Sequence, residues 1–188
     1  MINVTMNEVQ KIVEESAEEL FTKDKCLLEN NVSERAITHK LAEYLQLRIS
    51  YLNVDCEYNR NAEKGHNVPK EIVVLREETK AINTEGFDES EWLAISTYPD
   101  IIVHRRMTNE ANLLVVEVKK GDSKVPHKHD LNKLKAFTEK SAQNDYNFRY
   151  GVFIVLGMDE QLLDLRMRWF IDGQEVTHKF RSRNVTSL

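Results

Sequence analysis

Three residues of the 188 have types and spacing that can do chemistry together: Asp100, Glu117 and Lys119. Asp100 precedes the apolar run Ile101–Val103, and Glu117 and Lys119 end the run that begins at Leu113, with the polar stretch Arg105–Asn112 between. A hairpin turning between Thr108 and Asn109 sets Asp100 opposite Glu117. Lys119, two residues on, leaves the same face of the ladder about 6–7 Å further along. In this register Ile101, Val103, Leu114, Val116 and Val118 form an unbroken apolar opposite face. A one-residue slip would bury one of the two carboxylates among them.

Two carboxylates held side by side at the end of a buried hairpin repel each other. A divalent cation removes that repulsion, and hard oxygen ligands suit Mg²⁺ or Mn²⁺. An ammonium next to them can orient or deprotonate a water, or neutralise charge that develops on a phosphate in the transition state. Those are the parts that phosphodiester hydrolysis requires.

The elements that must position these residues are partly legible. Residues 7–24 read as an amphipathic helix with an acidic outer face, and Glu34 to Leu47 as a second helix with the stripe Ile37, Leu41, Tyr44, Leu45. Asn31 or Ser33 can cap the second helix. Leu52, Val54, Cys56 and Tyr58 alternate with polar residues, the pattern of a strand with one buried face. Residues 60–97 read as an excursion containing a short strand near Ile72–Leu75. Asp130 to about Ala142 reads as a helix with Leu131, Leu134 and Phe137 inward and Asp130 as its N-cap. Tyr150–Leu156 reads as a strand buried on both faces. Leu165–Ile171 and Glu175–Phe180 flank Asp172-Gly173, a type I′ hairpin signal. The order implies an α/β fold with a mixed sheet in one domain, residues 1–188.

Pro99-Asp100, sixteen intervening residues and Glu117-Val118-Lys119 resemble the PD-(D/E)XK signature of the restriction-endonuclease-like nuclease superfamily. The resemblance covers residues 34–156, where the element order is similar to that family's αβββαβ core. It leaves out the N-terminal helix, the 60–97 excursion and the C-terminal hairpin. It implies a Mg²⁺- or Mn²⁺-dependent nuclease, with Asp100 and Glu117 as metal ligands, the Val118 carbonyl as a further ligand, and Lys119 acting on the attacking water. Many members add an acidic residue from the first core helix, and Glu34 fits that place. It lies three and seven residues before Ile37 and Leu41, on the buried stripe. Asn31-Val32-Ser33-Glu34 also reads as a capping box. DNA as the substrate follows from the resemblance alone.

Glu78-Thr79-Lys80 is a second Glu-x-Lys, but it lacks a Pro-Asp before it. His127-Lys128-His129 reads as polar surface rather than a zinc site. His104 and Glu57 read as exposed. Lys120, Lys124, Lys128, Lys133 and Lys135 make the most basic stretch, and Lys120, Lys124 and Lys128 are the candidates for phosphate positioning. The net charge of −5 argues against nonspecific coating of nucleic acid, yet residues 1–94 carry −8 and residues 95–188 carry +3, which allows a basic face in the second half. Cys26 and Cys56 form no framework of disulfides, and no apolar run is long enough for a membrane. These features suggest a cytoplasmic protein. A homodimer or a protein partner through residues 60–97 is a further expectation. The competing class is a non-catalytic nucleic-acid-binding or assembly module on the same fold.

Overall fold

A computed structural model describes residues 4–30, 32–58, 60, 70–75, 92–121, 127–142, 144–159 and 162–176. Its helices start where local capping chemistry dictates. Helix α1 (Met6–Lys23) opens with Thr5 and Glu8 in a reciprocal capping box. It buries Val9, Val13, Ala17, Leu20 and Phe21 along one stripe. A short helix α2 (Lys25–Glu29) leads to α3 (Glu34–Arg48), whose first turn is capped by the Ser33 hydroxyl accepting from the Ala36 amide at 3.3 Å. Ser33 therefore does the capping, which leaves the Glu34 carboxylate uncommitted to its own helix end. Arg48 of α3 pairs with Glu19 of α1 at 2.7 Å and ties the two helices together.

Strands β1 (Asn53–Cys56), β4 (Ile101–His104), β5 (Leu114–Lys120), β6 (Tyr150–Asp159), β7 (Leu162–Ile171) and β8 (Gln174–Val176) form one mixed sheet in the order β1-β4-β5-β6-β7-β8. Among the described strands only β5 and β6 run parallel, and helix α4 (Lys128–Thr138) lies between them in sequence, as a parallel connection requires. Strands β2 (Glu71–Leu75) and β3 (Trp92–Ser96) pair with each other in a separate two-stranded ladder. Two side chains of the α4–β6 connection hold β2. The Asn144 amide brackets the N–H and C=O of Val73 at 2.7 and 2.9 Å, and the Tyr146 hydroxyl does the same for Glu71 at 2.8 Å each.

The two sheet faces carry different cores. Ile101, Val103, Leu114, Val116 and Val118 pack with the stripes of α1 and α3. Ile102, Val115, Phe153, Val155 and Phe170 pack with Leu134 and Phe137 of α4 and with Ile72, Tyr146 and Phe148. Every residue of β6 from Tyr150 to Leu156 is buried. Asp172 and Gly173 both have positive φ, 49° and 73°, as a type I′ turn demands.

Several local expectations are corrected. Helix α4 spans 128–138 rather than 130–142, so Asp130 lies inside its first turn and is not the cap; His127 occupies that position with no side-chain bond. Cys56 is exposed rather than on a buried face, at the end of β1, the edge strand of the sheet. His104 is 2% exposed. It lies beneath Tyr58, ring to ring at 4.8 Å, with Nε2 2.9 Å from Asp55. Among the described residues no helix is long and apolar enough to cross a membrane.

Candidate active site

Strands β4 and β5 pair with Ile101 opposite Val116, Ile102 opposite Val115 and Val103 opposite Leu114. One more step in this register sets Asp100 against Glu117, the alignment predicted from the pattern of apolar residues. Asp100 itself precedes β4, and its Oδ2 accepts from the Val118 amide at 2.7 Å. That bond continues the hairpin with a side chain in place of a backbone rung and fixes the carboxylate over the end of β5.

Glu117 points into the α4 side of the sheet and is fully buried. Its Oε2 accepts from the Lys133 ammonium at 2.6 Å, while its Oε1 has no hydrogen-bond partner. Lys133 also lies 3.5 Å from Asp130 and 3.5 Å from the Tyr98 carbonyl. Lys119, two residues beyond Glu117, reaches Oε1 of Glu34 at 2.9 Å and Oδ2 of Asp130 at 3.4 Å. The Lys120 amide lies 3.4 Å from the other Glu34 oxygen. The first turn of α3, the start of β4, the end of β5 and the first turn of α4 thus meet around one cluster.

Its electrostatics follow from burial. Desolvation pushes the Asp100 carboxyl above its usual range, against the Val118 amide and the nearby lysines. Glu117 is raised further by complete burial, against the pull of Lys133. For Lys119 and Lys133 burial opposes the charged form. The carboxylates around them outweigh it, Glu34 with Asp130 for Lys119 and Glu117 with Asp130 for Lys133, so both ammoniums are held above the ordinary lysine value. Four carboxylates (Glu34, Asp100, Glu117, Asp130) face two ammoniums, and with all groups ionised the cluster is two positive charges short.

A hard divalent cation fits that deficit. Glu117 Oε1 is a buried oxygen with no donor, and only the Val118 amide donates to Asp100 among the described residues. Among those residues no group of three His, Cys, Asp or Glu side chains gathers as a complete ligand set. Asp100 and Glu117 with a backbone carbonyl are therefore the donors on offer, and Glu34 is engaged by Lys119. A groove of about 550 Å³ runs past Asp100, walled by Glu34, Arg35, Thr38, Cys56, Glu57 and Tyr98. Glu57, at the exposed end of β1, pairs with Arg35 at 2.8 Å.

Asp100, Glu117, Val118, Lys119 and Glu34 come together in this cluster. The candidate phosphate contacts do not join it as a group. Lys120 turns its ammonium to the Val32 carbonyl at 3.3 Å on the other side of β5, and Lys128 is exposed at the start of α4. Lys124 lies outside the described residues. Asp130 and Lys133 are the residues that sequence reasoning missed, having been read as a cap and as part of the most basic stretch. A signal was present: positions 130, 133, 134 and 137 share one helical stripe with the inward Leu134 and Phe137. Two opposite charges on a buried stripe require partners inside. No protein-family model, curated protein or solved structure matches the chain.

Proposed function

We propose that the chain is a Mg²⁺- or Mn²⁺-dependent phosphodiesterase acting on nucleic acid, with DNA as the first substrate to test. The reading rests on one observation: Asp100 and Glu117 meet at a strand end beside Lys119, in a cluster of four carboxylates and two ammoniums and with a buried Glu117 oxygen lacking any donor. The order α3-β1-β4-β5-α4-β6, with β2 and β3 set apart, agrees with the αβββαβ core of the PD-(D/E)XK nucleases.

A bound divalent ion would neutralise the two carboxylates and acidify a water at working pH. Asp100, Glu117 and the Val118 carbonyl would hold it. Lys119 supplies a fixed positive charge for the phosphate as negative charge grows on it. Glu34 and Asp130 keep that ammonium protonated and aimed, and the groove past Asp100, along Tyr98 and Arg35, is where a substrate strand would approach. The test is cleavage of single-stranded and duplex DNA and RNA with Mg²⁺, Mn²⁺ or excess chelator. Metal-dependent products absent from Asp100→Ala support the proposal. Equal products from both proteins sink it.

One observation favours the alternative of a non-catalytic binding module. Lys133 already occupies Glu117, so the cluster is partly neutralised from within. Nucleic-acid binding without metal-dependent cleavage would select that reading.

A further inference from the structure

We propose that Lys133 is a built-in stand-in for the metal: it neutralises Glu117 in the resting site and moves to Asp130 when a divalent cation binds. The inference rests on the metal-site reading above and adds how that site is kept folded and then loaded.

The geometry supports an exchange of cations. Lys133 Nζ lies 2.6 Å from Glu117 Oε2, with both side chains almost wholly buried. An empty site without this ammonium would leave a carboxylate buried and unpaired, a strongly unfavourable arrangement. The same ammonium has two other acceptors within reach, Asp130 Oδ1 and the Tyr98 carbonyl, each at 3.5 Å. A lysine has a flexible four-carbon stem, so a short swing can trade one partner for another. Asp130 lies one helical turn before Lys133, on the same face of α4. Lys119 cannot play this part, because its own partners are Glu34 and Asp130. Metal binding then means displacing an internal cation, and the site's affinity is lower than its carboxylates alone would give.

Calorimetric titration of the full chain with MnCl₂ tests this, comparing wild type with Lys133→Gln. The glutamine amide keeps a hydrogen-bond donor on this side chain but carries no charge. The variant is expected to bind Mn²⁺ at least about tenfold tighter, from the loss of one unit of repulsion at close range. Equal or weaker binding overturns the inference and leaves the metal site standing. Absence of binding in both proteins overturns the metal-site reading, and the inference with it. Weaker binding counts only for a variant that is folded without Mn²⁺; for one that is not, the wild-type structure with Mn²⁺ decides. A Mn²⁺-bound crystal structure of the wild type decides the matter without any variant. Lys133 Nζ should lie beyond hydrogen-bond distance of Glu117, and finding it still in place overturns the proposal.

Discussion

The Lys119 ammonium lies 2.9 Å from Oε1 of Glu34, a contact between residues 85 positions apart that joins the end of β5 to the first turn of α3. The lysine is also held by Asp130 at 3.4 Å. Its partners keep it protonated, so in the proposed reaction it would serve as a fixed charge rather than as a base that gives up a proton.

Lys119→Ala is therefore expected to slow single-turnover cleavage by about 10²–10³-fold while nucleic-acid affinity stays within a few-fold of wild type. Lys119→Arg should keep a measurable share of the rate, because guanidinium is a permanent cation. An arginine variant as inactive as the alanine one would mean that the lysine must lose its proton.

Asp100→Asn should stabilise the metal-free protein. Burial raises the Asp100 pKa, so its ionised form at neutral pH costs folding free energy, and an amide can still accept from Val118. The expected gain is about 0.5–2 kcal/mol, the usual size for relieving a strained functional site. Wild type at a hundredfold excess of Mn²⁺ over Kd should gain about 2.7 kcal/mol, or roughly 5–10 °C in Tm for a chain of this length. The variant should gain nothing. Thermal melts with and without Mn²⁺ measure both effects, and a less stable variant would contradict the electrostatic account.

Acid should weaken the fold through His104 and Asp55. Burial holds His104 below its ordinary value of 6.5, outweighing the pull of Asp55. Its stabilising effect is complete above that value and is lost as the pH falls toward the folded pKa. Asp55 is held below its ordinary 3.8, chiefly by Arg106, whose Nε donates at 2.8 Å, so its share is lost at lower pH still. Urea midpoints at pH 7.5 and 5.5 should show a fall in wild type that is smaller in His104→Asn. Equal falls would remove His104 from the account.

Gly121 and Gly157 let the ends of β5 and β6 approach closely. A Cβ on Gly121 would lie 2.9 Å from the Gly157 Cα, and one on Gly157 would lie 3.0 Å from the Gly121 Cα. Both obstacles are backbone, so alanine at either position should cost about 1–3 kcal/mol. Because Lys119 and Lys120 directly precede Gly121, Gly121→Ala should also reduce cleavage. Unchanged Tm and rate would show that the strand ends can separate freely.

The sequence by itself determined what depends on short-range pattern. The two apolar runs and the polar loop between them point to the β4–β5 register, since a one-residue slip would send one of the two carboxylates to the face of Ile101, Val103 and Val116, away from the other. The 3.6-residue stripes specify the inward faces of α1 and α3, and Asp172-Gly173 specifies the turn between β7 and β8. Asp100, Glu117 and Lys119 were legible for the same reason, as neighbours within one hairpin.

Only the tertiary structure decided which cations neutralise that hairpin, and why it must. Packing of α4 on one face brings Asp130 and Lys133 to Glu117, and packing of α3 on the other brings Glu34 to Lys119. Burial likewise turned His104 from a polar residue near a loop into a core partner of Asp55, while the position of β1 at the sheet edge left Cys56 exposed. A charged side chain reads as solvated until its surroundings are known, because its preference for water reverses when a partner of opposite charge shares its burial.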